Sequence, residues 1–143
     1  MVAYSFQPCF VLPIRIGLGL DRQNGAGAPE AKRQTIRAER NHPGRHARPG
    51  ETLQLYCRQR SQGGFKIADV RCTQVRPIRL TFGRKDSVFL NIGSVVSISP
   101  PTLDAFARRD GFADWQALRD FWRVRHPGVT DFKGVLIEWE SIT

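Results

Sequence analysis

The stretch that decides the fold runs from Glu51 to Leu80 and reads ETLQLYCRQRSQGGFKIADVRCTQVRPIRL. Its first part places apolar side chains at every second position, and its second part repeats that alternation after a Gly-Gly pair. A period of two is typical of strands with one buried face, and paired glycines between two such runs favour a hairpin turn. We therefore predict strands over 51–58 and 65–80, with Pro77 ending or bending the second.

Shorter β-rich segments surround this hairpin on both sides. We predict strands at 3–10, 32–39, 87–99 and 132–140, and a turn of helix within 11–18. Residues 19–31, GLDRQNGAGAPEA, are rich in glycine and small polar side chains, which predicts a flexible insertion.

The pattern changes to a helical period before the last strand. Leu103, Phe106 and Ala107 are spaced as one face of a helix, and Gly111 is suited to end it. Asp114 is a suitable N-cap for a second helix, which His126-Pro127-Gly128 would stop. The aromatic side chains assigned to the core are Trp115, Phe121, Trp122 and Trp139.

Together these elements predict an α+β fold in a single domain that covers residues 1–143. Five or six short, mostly antiparallel strands favour a small β-barrel. The two helices before the last strand would plug or flank one end of it.

The charge balance favours a polyanionic partner. Lys+Arg number 22 and Asp+Glu 13, a net charge of +9, and all but four of the cations are arginines. Arginine binds phosphate through a two-pronged fork and stacks on bases, so the excess favours nucleic acid over a membrane surface. The alternative is that the arginine content reflects a GC-rich genome and has no functional meaning.

Several classes of protein are excluded by the sequence. No apolar run approaches the ~20 residues that a membrane-spanning helix needs. Pro8, Pro13 and Arg15 interrupt the N-terminal apolar stretch, which makes it a poor signal peptide. Cys9, Cys57 and Cys72 form neither a disulfide framework nor a zinc ligand set. We therefore expect a cytoplasmic protein with reduced cysteines, no membrane partner, no metal and no cofactor.

Residues 32–37, KRQTIR, are the first candidate for a functional site. On a strand, Arg33, Thr35 and Arg37 share one face, and Lys32 leads into that face from the loop. Such a group can bind a phosphate or carboxylate, or activate the Thr35 hydroxyl if burial and neighbouring charge lower the pKa of Lys32. The alternative is an exposed edge strand on which the cations only discourage pairing with other chains.

Asp110 is the second candidate. A carboxylate at a helix C-terminus opposes the helix dipole, and local rules are often broken at functional sites. The alternative is a solvated aspartate before a turn glycine.

In the right order along the chain, these features resemble the ASCH domain family, whose members are PUA-like β-barrels. The matching segments are YSFQPCF at 4–10, the KRQTIR segment, RPGETLQLY at 48–56, the helical stretch at 103–122 and GVLIEW at 134–139. The resemblance implies a PUA-like barrel with a basic cleft, proposed in the family to bind RNA. Small single-domain members include an amidohydrolase that removes the acetyl group from N4-acetylcytidine, and another has been reported as a ribonuclease.

The resemblance also implies roles for individual residues. Lys32 matches the amidohydrolase's proton acceptor, Thr35 its nucleophile and Asp110 its proton donor, while Arg37 would orient the substrate or an oxyanion. The chain departs from the family in two ways: Asp110 stands where the family has glutamate, and the insertion at 19–31 precedes Lys32 directly.

Two functions from different classes follow. The first is a module that binds RNA or a modified nucleoside in a basic cleft formed by Arg33, Arg37, Arg40, Arg45 and Arg48. The second is an amidohydrolase acting on an acylated cytidine through Lys32, Thr35 and Asp110. A ribonuclease is a third interpretation, for which the sequence offers no histidine pair at convincing spacing.

Overall fold

The structure, a computed structural model, describes residues 2–22, 30–40, 45–90, 95–97 and 99–142, with only the backbone of 95–97. Its strands are β1 (Val2–Phe6), β2 (Gln34–Ala38), β3 (Thr52–Cys57), β4 (Phe65–Thr81), β5 (Ser87–Leu90), β6 (Val95–Ser97) and β7 (Asp131–Ser141). Its helices are a 3-10 turn at Pro8–Phe10, α1 (Val11–Gly17), α2 (Pro100–Arg109) and α3 (Trp115–Arg125).

Local chemistry sets the ends of the two longer helices. Gly111 follows α2 with φ +93°, a left-handed conformation that glycine adopts without strain. The carboxylate of Asp114 accepts a hydrogen bond from the backbone N–H of Ala117 at 2.9 Å and caps α3, as predicted. None of the described helices is long and apolar enough to cross a membrane.

The long strand β4 organises the sheet. Its first half pairs with β3 and its second half with β5, while β7 runs along the other side of both halves. The sheet continues from β3 to β1, from β5 to β6 and from β7 to β2. Only the β1–β3 pairing is parallel among these ladders. No ladder joins β1 to β2 in the described residues, so these pairings describe an open sheet.

A bulge in β4 divides the apolar core in two. Cys72 pairs with Trp139 and Gln74 with Glu138, so Thr73 has no partner in the ladder. Before the bulge, Val70 and Cys72 pack into one cluster with Tyr4, Leu55 and Ile137. After it, Ile78 and Leu80 pack into a second cluster with Leu118 and Leu136. An extra residue reverses which positions of a strand face which side.

The α+β class, the mostly antiparallel pairing and the two helices before the last strand are confirmed. The strand count was wrong, because residues 87–97 form the antiparallel pair β5 and β6 and not one strand, which gives seven strands in the sheet. The first strand ends at Phe6, before the 3-10 turn that Pro8 begins. The second begins at Gln34 and not at Lys32.

Pro77 does not end β4, which continues to Thr81, so that one of the two expectations was wrong. It lies between Arg71, where the β3 ladder stops, and Ile78, where the β5 ladder begins. Proline is tolerated where a strand needs no hydrogen bond on one side, and among the described residues no strand pairs with this interval on that side. Most of the insertion predicted at 19–31 lies outside the described residues. The cysteines are free, with Cys9 exposed and Cys57 and Cys72 buried.

Candidate functional site

Lys32 is fixed by the backbone before β2 begins. Its N–H donates to the carbonyl of Pro13 at 2.9 Å, and its backbone forms an isolated bridge with Asp110. A Cβ at Gly17 would lie 2.7 Å from the Lys32 carbonyl oxygen, and a Cβ at Gly111 would lie 3.0 Å from the Lys32 Cβ. The two glycines therefore allow α1 and the end of α2 to approach Lys32 from two sides.

The side chains of Lys32 and Asp110 meet in the interior. The Lys32 Nζ donates to the Asp110 carbonyl oxygen at 2.8 Å and lies 3.4 Å from the carboxylate Oδ1. The side chains are only 3% and 7% exposed. The ammonium also lies 4.6 Å from the ring centre of Phe10. The aspartate side chain, although one methylene shorter than a glutamate, therefore lies within reach of the lysine.

Burial moves both groups toward their neutral forms. Burial lowers the pKa of the Lys32 ammonium and raises the pKa of the Asp110 carboxyl, and the attraction between the two opposes part of each change. Gln34 also lies close enough to lower the pKa of Asp110, yet Gln34 Nε2 and Asp110 Oδ1 both lack a hydrogen bond of normal geometry. The pair is thus suited to take up one proton and give up another.

Thr35 and Arg37 project from the same face of β2 into the same space. The Arg37 Nε donates to the Thr35 Oγ1 at 3.1 Å, and its Nη2 donates to the Ser5 carbonyl at 2.8 Å. The guanidinium carbon lies 4.8 Å from the ring centre of Phe6. Burial lowers the pKa of Arg37. A cation held against a hydroxyl favours its deprotonated form, so this contact lowers the free-energy cost of removing the Thr35 proton.

These four residues line one cavity of about 300 Å³, which we name the lysine cavity. Six of its sixteen lining residues are aromatic, and the exposed residues Arg125 and His126 also line it. The aromatic residues are Phe6, Phe10, Phe112, Phe121, Trp122 and Phe132. The volume is at the lower end of the ~300–1,000 Å³ typical of small-molecule sites, so the lysine cavity has room for one base rather than several nucleotides.

The other arginines of the predicted basic cleft do not line the lysine cavity. Arg33 is exposed, because β2 begins one residue after it and the alternation of faces does not extend back to it. The guanidinium of Arg45 makes two hydrogen bonds to Glu51, at 2.7 and 2.6 Å. The guanidinium carbon of Arg40 lies 4.9 Å from the ring centre of Tyr4. Arg48 is exposed.

Sequence reasoning missed several lining residues. Phe112 was not singled out, His126 was noted only as part of a helix stop, and Phe121 and Trp122 were assigned to the core alone. The sequence signal for Phe112 was its position two residues after Asp110. Trp115, predicted to lie in the core, stacks there on Phe82.

Comparison of the chain with models of known families, with curated proteins and with solved structures finds no match in any of the three.

Proposed function

We propose that the chain is a small amidohydrolase that removes the acyl group from an N4-acylated cytidine, built on a fold related to the PUA-like domains of the ASCH type. The observation that carries this proposal is the buried Lys32–Asp110 pair beside Thr35 and Arg37 in one cavity. The resemblance to the ASCH family supplies the substrate class, and the size and aromatic walls of the lysine cavity support a single base as its occupant. Stacking on aromatic side chains stabilises a bound base by about 1–3 kcal/mol.

The first half of the reaction transfers the acyl group to the protein. Neutral Lys32 accepts the proton of the Thr35 hydroxyl as the oxygen attacks the amide carbonyl. Arg37 stabilises the negative charge that develops on the carbonyl oxygen. Protonated Asp110 gives its proton to the N4 nitrogen as the carbon–nitrogen bond breaks. Cytidine leaves, and Thr35 carries the acyl group as an ester.

The second half restores the starting state. A water molecule gives one proton to the Asp110 carboxylate as its oxygen attacks the ester carbonyl. The Lys32 ammonium returns its proton to the Thr35 oxygen as the ester bond breaks. The free carboxylic acid leaves, and both groups of the pair are again neutral, which is the direction in which burial moves the pKa of each.

Hydrolysis is favoured over simple RNA binding by where the positive charge lies. The guanidinium of Arg45 is occupied by Glu51. Arg40 lies over the same Tyr4 ring as Arg37, but Arg37 alone of the predicted cleft arginines lines the lysine cavity. An RNA strand needs several phosphate contacts, and its affinity would fall steeply with salt. The lysine cavity instead concentrates its polar groups at one point.

The test is a turnover assay with N4-acetylcytidine, in which chromatography follows the release of cytidine. We expect release by the wild type and a loss of about 100-fold or more in Thr35→Ala and Lys32→Met, since each role of this kind contributes ~10²–10⁴ in rate. Lys66→Met is the matched control, because Lys66 also pairs with an aspartate but lies on the surface.

Absence of cytidine release by folded wild type overturns the hydrolase proposal for this substrate. Full activity of Thr35→Ala overturns the assignment of the nucleophile. If the folded wild type releases no cytidine, RNA titrations at increasing salt test whether the basic surface binds RNA.

A further inference from the structure

A second cavity lies on the other side of β2 from the lysine cavity. It is a groove of about 410 Å³ between α2 and the strands β2, β4 and β7, and it shares no lining residue with the lysine cavity. Its polar lining residues are Gln34, Gln74, Arg76, Arg109 and Glu138. We name it the glutamate groove.

The charges in the glutamate groove do not cancel. The carboxylate of Glu138 lies 2.9 Å from the Arg76 Nη2 and 3.6 Å from the Arg109 Nη2. Its side chain is 10% exposed, whereas that of Arg109 is 54% exposed. One carboxylate between two guanidinium groups leaves one positive charge uncompensated. The Arg109 guanidinium lies farther from the Glu138 carboxylate than the Arg76 guanidinium does, so the N–H donors of Arg109 are available to a ligand.

One buried donor of the same groove lacks an acceptor. The Nε of Arg76 is buried without a hydrogen-bond partner. A buried donor left unsatisfied costs about 1–3 kcal/mol. A ligand oxygen placed in the groove would supply the acceptor that this side chain lacks.

The remaining wall of the groove is apolar. Phe106 and Leu136 line it, and both are buried, at 8% and 1% exposure. A ligand that combined an oxyanion with an apolar body would therefore satisfy the donors at one end and cover apolar surface at the other.

We propose that the glutamate groove binds the carboxylate of a small monoanionic acid, with the apolar part of that acid against Phe106 and Leu136. The single uncompensated charge favours a monoanion over a dianionic phosphate. Arg109 and the unpartnered Nε of Arg76 provide the donors for the carboxylate oxygens. This proposal does not depend on the hydrolase activity of the lysine cavity.

The test measures binding to the full chain by isothermal titration calorimetry with three probes: benzoate, neutral benzamide and inorganic phosphate. We expect benzoate to bind, and benzamide and phosphate to bind at least about tenfold more weakly. Arg109→Gln removes the loosely held guanidinium and is expected to weaken benzoate binding about tenfold. Arg123→Gln is the matched control, because Arg123 is an exposed arginine of α3 that pairs only loosely with Asp120, at 3.8 Å.

A further variant fixes the location. Arg37→Gln alters the lysine cavity and is expected to leave benzoate binding unchanged. The proposal is overturned if benzoate does not bind, if benzamide or phosphate binds as well as benzoate, or if binding is lost in Arg37→Gln and kept in Arg109→Gln. Arg109 is more than half exposed, so its replacement does not threaten the fold.

Discussion

Lys32–Asp110 and Lys66–Asp69 are the same two side chains in two different surroundings. The distances from the ammonium nitrogen to the nearest carboxylate oxygen are 3.4 Å in the first pair and 3.2 Å in the second. The side chains of the first pair are 3% and 7% exposed, and those of the second are 41% and 43% exposed. Lys66 donates to the carboxylate of its partner and Lys32 to the backbone carbonyl of its partner, but the larger difference between the pairs is their surroundings.

The difference arises from how the two pairs are assembled. Lys66 and Asp69 are three residues apart on β4 and meet in water, where an ion pair contributes little. Lys32 and Asp110 are brought together by the fold, across 78 positions of the chain. Removal from water shifts the pKa of both groups toward their neutral forms, and the proton transfers proposed for the site depend on that shift.

The largest effect is expected from removing the lysine of the buried pair. Lys32→Met leaves the Asp110 carboxyl buried without its partner and should lower the free energy of unfolding by about 3 kcal/mol. Lys66→Met should change it by less than about 1 kcal/mol, because the exposed pair is screened by water. Urea unfolding of the two variants beside the wild type measures both. Equal effects would mean that burial does not distinguish the pairs.

Removing both members of the buried pair should restore most of that loss. Lys32→Met combined with Asp110→Leu leaves no buried group to neutralise, so about 2 kcal/mol should return. The same double replacement at Lys66 and Asp69 should be additive within about 0.5 kcal/mol. A double-mutant cycle by urea unfolding gives the coupling in each pair. A buried pair that behaves additively would contradict the contact described for it.

Replacing Gly111, which packs against Lys32, should have an intermediate effect on the free energy of unfolding. Gly111→Ala places a Cβ 3.0 Å from the Lys32 Cβ and also strains a residue with φ +93°. Gly128→Ala is the control, since its φ is +77° but nothing lies within 4 Å of the added atom. We expect a loss of about 1 kcal/mol for Gly128→Ala and about 2 kcal/mol or more for Gly111→Ala. Thermal unfolding compares them, and indistinguishable losses would show that the contact with Lys32 adds nothing.

The smallest effect on stability is expected for the Arg45–Glu51 pair at the surface, and only at acidic pH. Two hydrogen bonds from Arg45 and one from the backbone N–H of Arg48 lower the pKa of Glu51 from 4.5 to about 2. Because the folded state holds this carboxyl ionised, its contribution to stability is complete above pH 4.5 and is lost as the pH falls toward 2. Glu51→Gln should therefore flatten the decline of stability over that interval. Unfolding measured at a series of acidic pH values tests this, with Asp120→Asn as the control.

Local signals predicted local structure well. Asp114 caps α3 and Gly111 follows α2, because the chemistry of a helix end lies within a few residues of sequence. The separate strands β5 and β6 and the bulge at Thr73 in β4 were missed. Both features are set by which strands lie alongside, and the alternation of side chains does not record that.

The site was predictable only in part for the same reason. The KRQTIR segment places Thr35 and Arg37 on one face of a strand, and no distant contact is needed to infer it. Whether Arg45 is free to bind a ligand depends on its contact with Glu51. Whether Arg33 shares the face of Thr35 depends on the residue at which β2 begins. The glutamate groove had no sequence signal at all, since Gln34, Arg76 and Glu138 come from three different strands.

The bulge in β4 makes the position of Thr73 tolerant of substitution but intolerant of deletion. Thr73 is exposed and has no ladder partner, so mutation can exchange it for almost any other polar residue at little cost. Deletion of Thr73 would have a much larger effect. Deleting one codon there would put the second half of β4 out of phase and turn Ile78 and Leu80 away from the cluster they now fill. Selection would accept many residues at this position but not a chain that is one residue shorter.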